Sequence, residues 1–124
     1  MKDPRPVNLD VWTIRLPIAA YASILHRLSG VIVFVGIAVL LCLFDSSMSG
    51  EESFARLEAF FASPLWRFAL WVSLSALAYH LIAGCKHLLL DLGIGETKEA
   101  SPISAVIVLV LSAVLIVSLG VWIW

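Results

Sequence analysis

The chain has 124 residues, of which 61% are hydrophobic and only 14% are charged. A soluble domain of this length cannot bury so much apolar surface, whereas lipid accepts it, so the composition indicates a membrane protein. The formal net charge is −1 and the sequence contains no Lys/Arg-rich run, so nothing supports nucleic-acid binding.

Three apolar stretches follow one another, and each is long enough for the roughly 20 residues with which a helix crosses the hydrocarbon core. The predicted helices cover about residues 22–44, 65–92 and 103–124. A closed β-barrel is the other structure that spans lipid, and three segments are too few to close one. The predicted fold class is therefore an all-α membrane protein with three transmembrane helices. Residues 1–124 are predicted to form a single membrane-anchor domain.

The first connection, residues 45–64, is polar and acidic, but it contains Leu57, Phe60 and Phe61. These apolar residues predict a short interfacial helix within the connection.

Lys and Arg residues near the helix ends predict the orientation, because cytoplasmic loops carry an excess of them. The N-terminal flank and the second connection carry six, against two in the first connection: Lys2, Arg5, Arg15, Arg27, Lys86 and Lys98 against Arg56 and Arg67. The N-terminus is therefore predicted to be cytoplasmic and the C-terminus periplasmic.

Ionisable residues inside spanning helices are costly, so each is a functional candidate. All three histidines of the chain, His26, His80 and His87, lie in or beside the predicted helices. His80 lies about 15 residues into the second helix, or roughly 22 Å along its axis, well inside the bilayer. An imidazole there needs a partner, which is either a metal ion or a hydrogen-bonding group on another helix.

His80, Gly84, His87 and Asp91 follow spacings of four, three and four, so they share one helix face. Small residues extend the same side, namely Ser73, Ala76 and Ala83. Such a stripe permits either close helix packing or room for a flat cofactor.

His80 and His87 cannot bind one iron together, because they are about 10.5 Å apart along the axis, whereas opposed nitrogens on one metal are about 4 Å apart. We expect His26 to lie level with His87 and not with His80. A second histidine ligand is therefore expected from a partner chain.

The first helix begins with a second polar group, Ser23, His26 and Arg27, whose spacings of three and four residues let them share one face. The Ser23 hydroxyl and the Arg27 guanidinium could hold a quinone carbonyl. His26 and Arg27 could equally bind haem propionates through charge-assisted hydrogen bonds. The structural alternative is an interfacial arginine that pairs with lipid phosphate.

Two motifs carry a family resemblance. The segment RPVNLDVWTIRLPIAAYASILHRLSGV, residues 5–31, resembles the N-terminal signature of the succinate dehydrogenase cytochrome b subunit family, with Ser-x-x-His-Arg-x-Ser/Thr-Gly at its end. The segment HLIAGCKHLLLD, residues 80–91, resembles the second signature, His-x-x-x-Gly-x-Arg/Lys-His-Leu/Met-x-x-Asp. Lys86 stands where arginine is usual, so the charge is kept but the bidentate fork of a guanidinium is lost.

The resemblance implies that His80 is an axial ligand to haem b and that a second small membrane anchor subunit supplies the other ligand, in a haem-binding helical bundle built from both subunits. It implies that Ser23 and Arg27 line a ubiquinone site and that His26 and Arg27 approach the haem propionates. It further implies a flavoprotein subunit and an iron–sulfur subunit as partners in a bacterial inner membrane. The chain has no flavin motif, succinate site or cluster-binding cysteine set, so it is not expected to catalyse a reaction alone.

Three other functions stay open at this stage. An anchor of a quinol:fumarate reductase would differ only in the direction of electron flow. A haem-free structural anchor would use His80 only for a hydrogen bond. A small transporter subunit is disfavoured, because no Asp or Glu lies in the central part of a predicted helix.

Overall fold

A computed structural model describes residues 13–124 of the chain, and all regular secondary structure in this part is α-helical. The helices are α1 (Ile18–Met48), α2 (Glu51–Phe61), α3 (Pro64–Asp91) and α4 (Ala100–Ile123). Of these, α1, α3 and α4 are long and apolar enough to cross a membrane. This confirms the predicted fold class and its three transmembrane helices. Lys2 and Arg5, which contribute to the predicted orientation, and residues 5–12 of the first motif lie outside the described residues.

The bounds of α3 and α4 agree with the predicted helices to within three residues, but α1 is longer than predicted at both ends. It begins directly after Pro17 and continues through the polar residues that follow Phe44. At its C-terminal end, the Ser47 hydroxyl donates to the Phe44 carbonyl at 2.6 Å. Its 31 residues make it about 46 Å long against a hydrocarbon core of about 30 Å, so polar residues remain helical beyond the core.

The first connection contains α2, which confirms that it forms a short helix; the interfacial position of this helix stays a prediction. The chain turns from α1 into α2 at Gly50, whose φ of 140° favours glycine. Arg56 pairs with Glu52 one helical turn away, at 2.8 Å. The Nε of Arg67 donates to the Phe61 carbonyl at 3.0 Å, which fixes the corner between α2 and α3.

The central helix of the bundle is α3, which packs against both α1 and α4. Gly36 of α1 lies beside Ser73, and Gly30 lies beside His80, so α1 and α3 run antiparallel. The two helices are also joined by the Tyr79 hydroxyl, which donates to the Ala22 carbonyl at 2.9 Å.

The contact between α3 and α4 is antiparallel as well. Near one end, the indole N–H of Trp71 donates to the Ile116 carbonyl at 3.0 Å. Further along, Tyr79 and Ala83 pack against Val108.

Small side chains dominate the interior of the bundle. The buried apolar residues of the described chain are Ala22, Ala76, Ala78, Tyr79, Ala83, Ala105 and Val108. Most large apolar side chains lie outside, as expected for a protein whose surface meets lipid and other membrane helices. The burial of Ala76 and Ala83 supports the close-packing interpretation of the small-residue stripe on α3.

Candidate functional site

The candidate site lies where α1 and α3 approach each other closely around His80. A Cβ atom placed on Gly30 would lie 3.1 Å from the Cε1 of His80, which is tighter than an ordinary contact. The glycine therefore lets the imidazole approach the backbone of α1.

The hydrogen bonds of His80 define which ring nitrogen carries the proton. Its Nδ1 lies 3.2 Å from the backbone carbonyl oxygen of His26 and 3.2 Å from the Oγ of Ser29. A carbonyl oxygen only accepts, and the Ser29 hydroxyl already donates to that same carbonyl at 2.8 Å. The Nδ1 of His80 is therefore the donor, and its Nε2 keeps a free lone pair.

Ser29 is the part of this arrangement that sequence reasoning missed. Its side chain is buried, with 5% of its surface exposed, and it contacts His80 from another helix. The available signals were its place in the first motif and its spacing of three residues from His26. The contact between Ser29 and His80 depends on the register in which α1 packs against α3, and this register cannot be predicted from the sequence.

The ring of His26 lies between the other two histidines. Its centroid is 4.3 Å from that of His80, with the rings stacked at 18°, and 4.9 Å from that of His87, at 31°. The expectation that His26 is level with His87 and not with His80 is therefore wrong. Because α1 begins at Ile18 rather than near residue 22, His26 lies further from the helix end than predicted.

Space for the His26 ring comes from a second glycine. A Cβ atom on Gly84 would lie 3.6 Å from the Nε2 of His26, an ordinary van der Waals distance. This Nε2 is buried and has no hydrogen-bond partner within residues 13–124. A group from outside the described chain would reach this atom only if the His26 ring turned away from Gly84.

Among the described residues, no group of three or more His, Cys, Asp or Glu side chains is arranged to hold a metal ion. The Nε2 of His80 could contribute one ligand to a metal that is otherwise held by a cofactor, such as a haem iron.

Ser23 and Arg27 lie one turn apart on α1, Ser23 half-buried and Arg27 exposed. Neither forms a hydrogen bond or an ion pair within the described part of the chain. Their polar atoms are therefore available to a ligand, lipid or partner, and their roles in binding stay predictions.

Comparisons with known proteins identify a family that the chain resembles over nearly its whole length. Residues 1–119 match a family described as the succinate dehydrogenase/fumarate reductase transmembrane subunit. The chain is 40% identical over 125 residues to the succinate dehydrogenase cytochrome b556 subunit of Coxiella burnetii, with 100% of both chains covered. It is 34% identical over 97 residues to the protein of the same name from Paracoccus denitrificans, with 77% of this chain and 75% of that protein covered.

Proposed function

This chain belongs to the succinate dehydrogenase/fumarate reductase transmembrane subunit family, and we propose that it holds haem b through His80 and helps to form a ubiquinone site. As a cytochrome b membrane subunit of such a complex, it works with other subunits. We propose that these are a flavoprotein, an iron–sulfur protein and a second small anchor that supplies the other axial ligand.

The observation that carries the proposal is the hydrogen bonding of His80. Metal-ligating histidines donate their second N–H to a carbonyl or carboxylate, which orients the ring and raises its basicity. The Nδ1 of His80 donates to the His26 carbonyl in this way, and its Nε2 is free to bind iron. When bound there, haem b supplies one-electron transfer in lipid surroundings.

Residues of α1 complete the proposed site. Arg27 brings a fixed positive charge on the exposed side of α1, and the His26 ring, whose Nε2 has no partner within residues 13–124, would turn to donate to a haem propionate. Ser23 and Arg27 together can donate hydrogen bonds to a quinone oxygen and stabilise the negative charge that develops on it during reduction. The proposed direction is succinate oxidation with ubiquinone as acceptor. The reverse reaction, fumarate reduction with quinol, would use the same residues.

The test is a pair of histidine variants in the assembled complex, His80→Leu and His87→Leu. We expect His80→Leu to abolish the low-spin b-type spectrum, because the iron loses its ligand. His87→Leu should retain that spectrum, because this residue is about two turns away along α3. An unchanged spectrum in the His80 variant would rule out the assignment.

A second candidate function is a haem-free structural anchor. It is favoured by the same contact, since the bond from His80 to the His26 carbonyl already joins α3 to α1. A reduced-minus-oxidised spectrum of the parental complex separates the two candidates. Absence of any b-type absorbance would favour the structural anchor.

A further inference from the structure

A groove between α3 and α4 is not used by the proposed haem and quinone sites. It has a volume of about 490 Å³ and lies at the ends of the helices nearest their connecting loop. Its walls are mostly apolar, with Ile82 and Leu89 on α3 and Ile107 and Leu111 on α4.

Lys86 is the only charged residue among the described residues that line this groove. It is half-buried, yet it forms no ion pair or hydrogen bond within residues 13–124, where the one ion pair is between Arg56 and Glu52. The groove therefore carries a positive charge with no counter-ion among the described residues, and such a charge near the membrane surface attracts anionic lipid headgroups.

We propose that this groove binds one anionic phospholipid, with its phosphate at Lys86 and an acyl chain along the apolar walls. The combination of one cation and an otherwise apolar channel matches an amphiphile with a negative head and a hydrocarbon tail. A free phosphate would leave the walls uncovered, and a zwitterionic lipid would bring less net charge to the lysine.

The dimensions of the groove agree with this occupant. On α4 it extends from Ser104 to Leu111, which is about 10 Å along the axis. This is less than half of the hydrocarbon core of about 30 Å, so the groove lies within one leaflet. Lys86 precedes the end of α3 at Asp91 by little more than one turn, so its flexible stem can hold the ammonium at headgroup level.

The experiment uses the assembled complex in nanodiscs of equal parts phosphatidylglycerol and phosphatidylcholine. After transfer to mild detergent, native mass spectrometry counts the retained lipids. We expect the parental complex to retain phosphatidylglycerol preferentially, and Lys86→Gln to weaken this retention about fivefold, the effect of one basic residue at an anionic surface. Lys86→Arg should retain it. Lys98→Gln is the matched control, because Lys98 is exposed and does not line the groove.

A second variant tests the acyl-chain channel while leaving the lysine in place. Ile107→Trp fills the groove and should reduce phosphatidylglycerol retention at least as much as Lys86→Gln. Equal retention by the parental complex and both variants would overturn the proposal. It would also be overturned if Lys86→Gln released a protein subunit without changing lipid retention, because Lys86 would then pair with a carboxylate of that subunit.

Discussion

Ser29 and the His26 carbonyl share the task of orienting the His80 ring. The carbonyl belongs to the backbone and cannot be removed by substitution, whereas the Ser29 hydroxyl can. Because that hydroxyl both accepts from His80 and donates to the carbonyl, it makes the protonated Nδ1 the favoured tautomer. Ser29 is therefore a positioning residue for the proposed iron ligand.

Replacing Ser29 by alanine should weaken the hydrogen bonding of Nδ1 without removing it. A weaker donor bond makes the imidazole a poorer ligand for oxidised iron, so the midpoint potential of the haem should rise. Because the potential reports only the difference in this bond between the two oxidation states, a net bond of about 0.5–1.5 kcal/mol limits the shift to at most about 20–65 mV. Redox titration of the b-type band measures it, and Ser29→Thr should restore the parental value. A parental potential in Ser29→Ala would show that the hydroxyl does not orient the ring.

The two residues of the proposed quinone site should differ in how strongly they affect the reaction. Ser23→Ala removes one neutral donor, and Arg27→Leu removes a fixed charge, so the arginine variant should be slower. Losing a hydrogen bond to a charged group costs about 1.5–3 kcal/mol, or roughly ten- to a hundredfold in rate. Quinone reduction by the complex gives this rate, and succinate oxidation with an artificial acceptor is the internal control. If both variants reduce quinone at the parental rate, Ser23 and Arg27 do not form the quinone site and act only as an interfacial anchor.

At the scale of helices, the close approach of α1 to α3 depends more on Gly30 than on Gly36. The space at Gly30 is narrow because the His80 ring fills it, whereas a Cβ atom on Gly36 would lie 3.8 Å from the Cβ of Ser73, an ordinary contact. The two positions on α1 therefore form a matched pair for substitution.

Gly30→Ala should destabilise the bundle relative to Gly36→Ala. Both variants gain about 1 kcal/mol of helix propensity, so the difference between them reports the clash with His80, about 1–3 kcal/mol for an overpacked interior. Unfolding of the detergent-solubilised complex by increasing SDS gives this difference. Equal stability of the two variants would mean that the ring moves away without cost.

The helices themselves were largely predictable, because apolar runs of this length have few other structures in lipid. The end of α1 was not, since Asp45 and Ser46 resemble a loop in sequence although they extend a helix beyond the core. The helix in the first connection was predictable from Leu57, Phe60 and Phe61, which alternate with charged and small residues at helical spacing.

The histidines of the candidate site were predictable, but Ser29 and the pairing of the side chains were not. His26 and His80 stand out because histidines are costly in a membrane. The stacking of their rings and the role of Ser29 follow from the register of two antiparallel helices, which the Gly30 and Gly84 contacts set. The spacing of residues in one sequence predicts which side chains share a helix face. It does not predict the register in which two helices pack.

For the whole molecule, the orientation in the membrane decides where the proposed quinone site faces. The Lys/Arg distribution predicts a cytoplasmic start of α1, so Ser23 and Arg27 should lie near the surface at which the proposed iron–sulfur subunit would deliver electrons. A reporter that is active only in the cytoplasm should be silent when fused after Trp124. The same reporter fused within the α3–α4 connection, at Gly95, should be active. The opposite pattern would show that the protein has the reverse orientation and that the proposed quinone site lies at the periplasmic surface.

The central position of α3 has a consequence for biogenesis. Every described side chain of the histidine cluster and its glycine and serine supports lies on α1 or α3. During synthesis α1 and α3 enter the bilayer before α4, and α3 can pack against α1 as soon as both are inserted. The cluster can thus assemble while α4 is still inside the ribosome. The Lys86 groove, which needs a wall from α4, forms only after α4 has emerged and packed against α3.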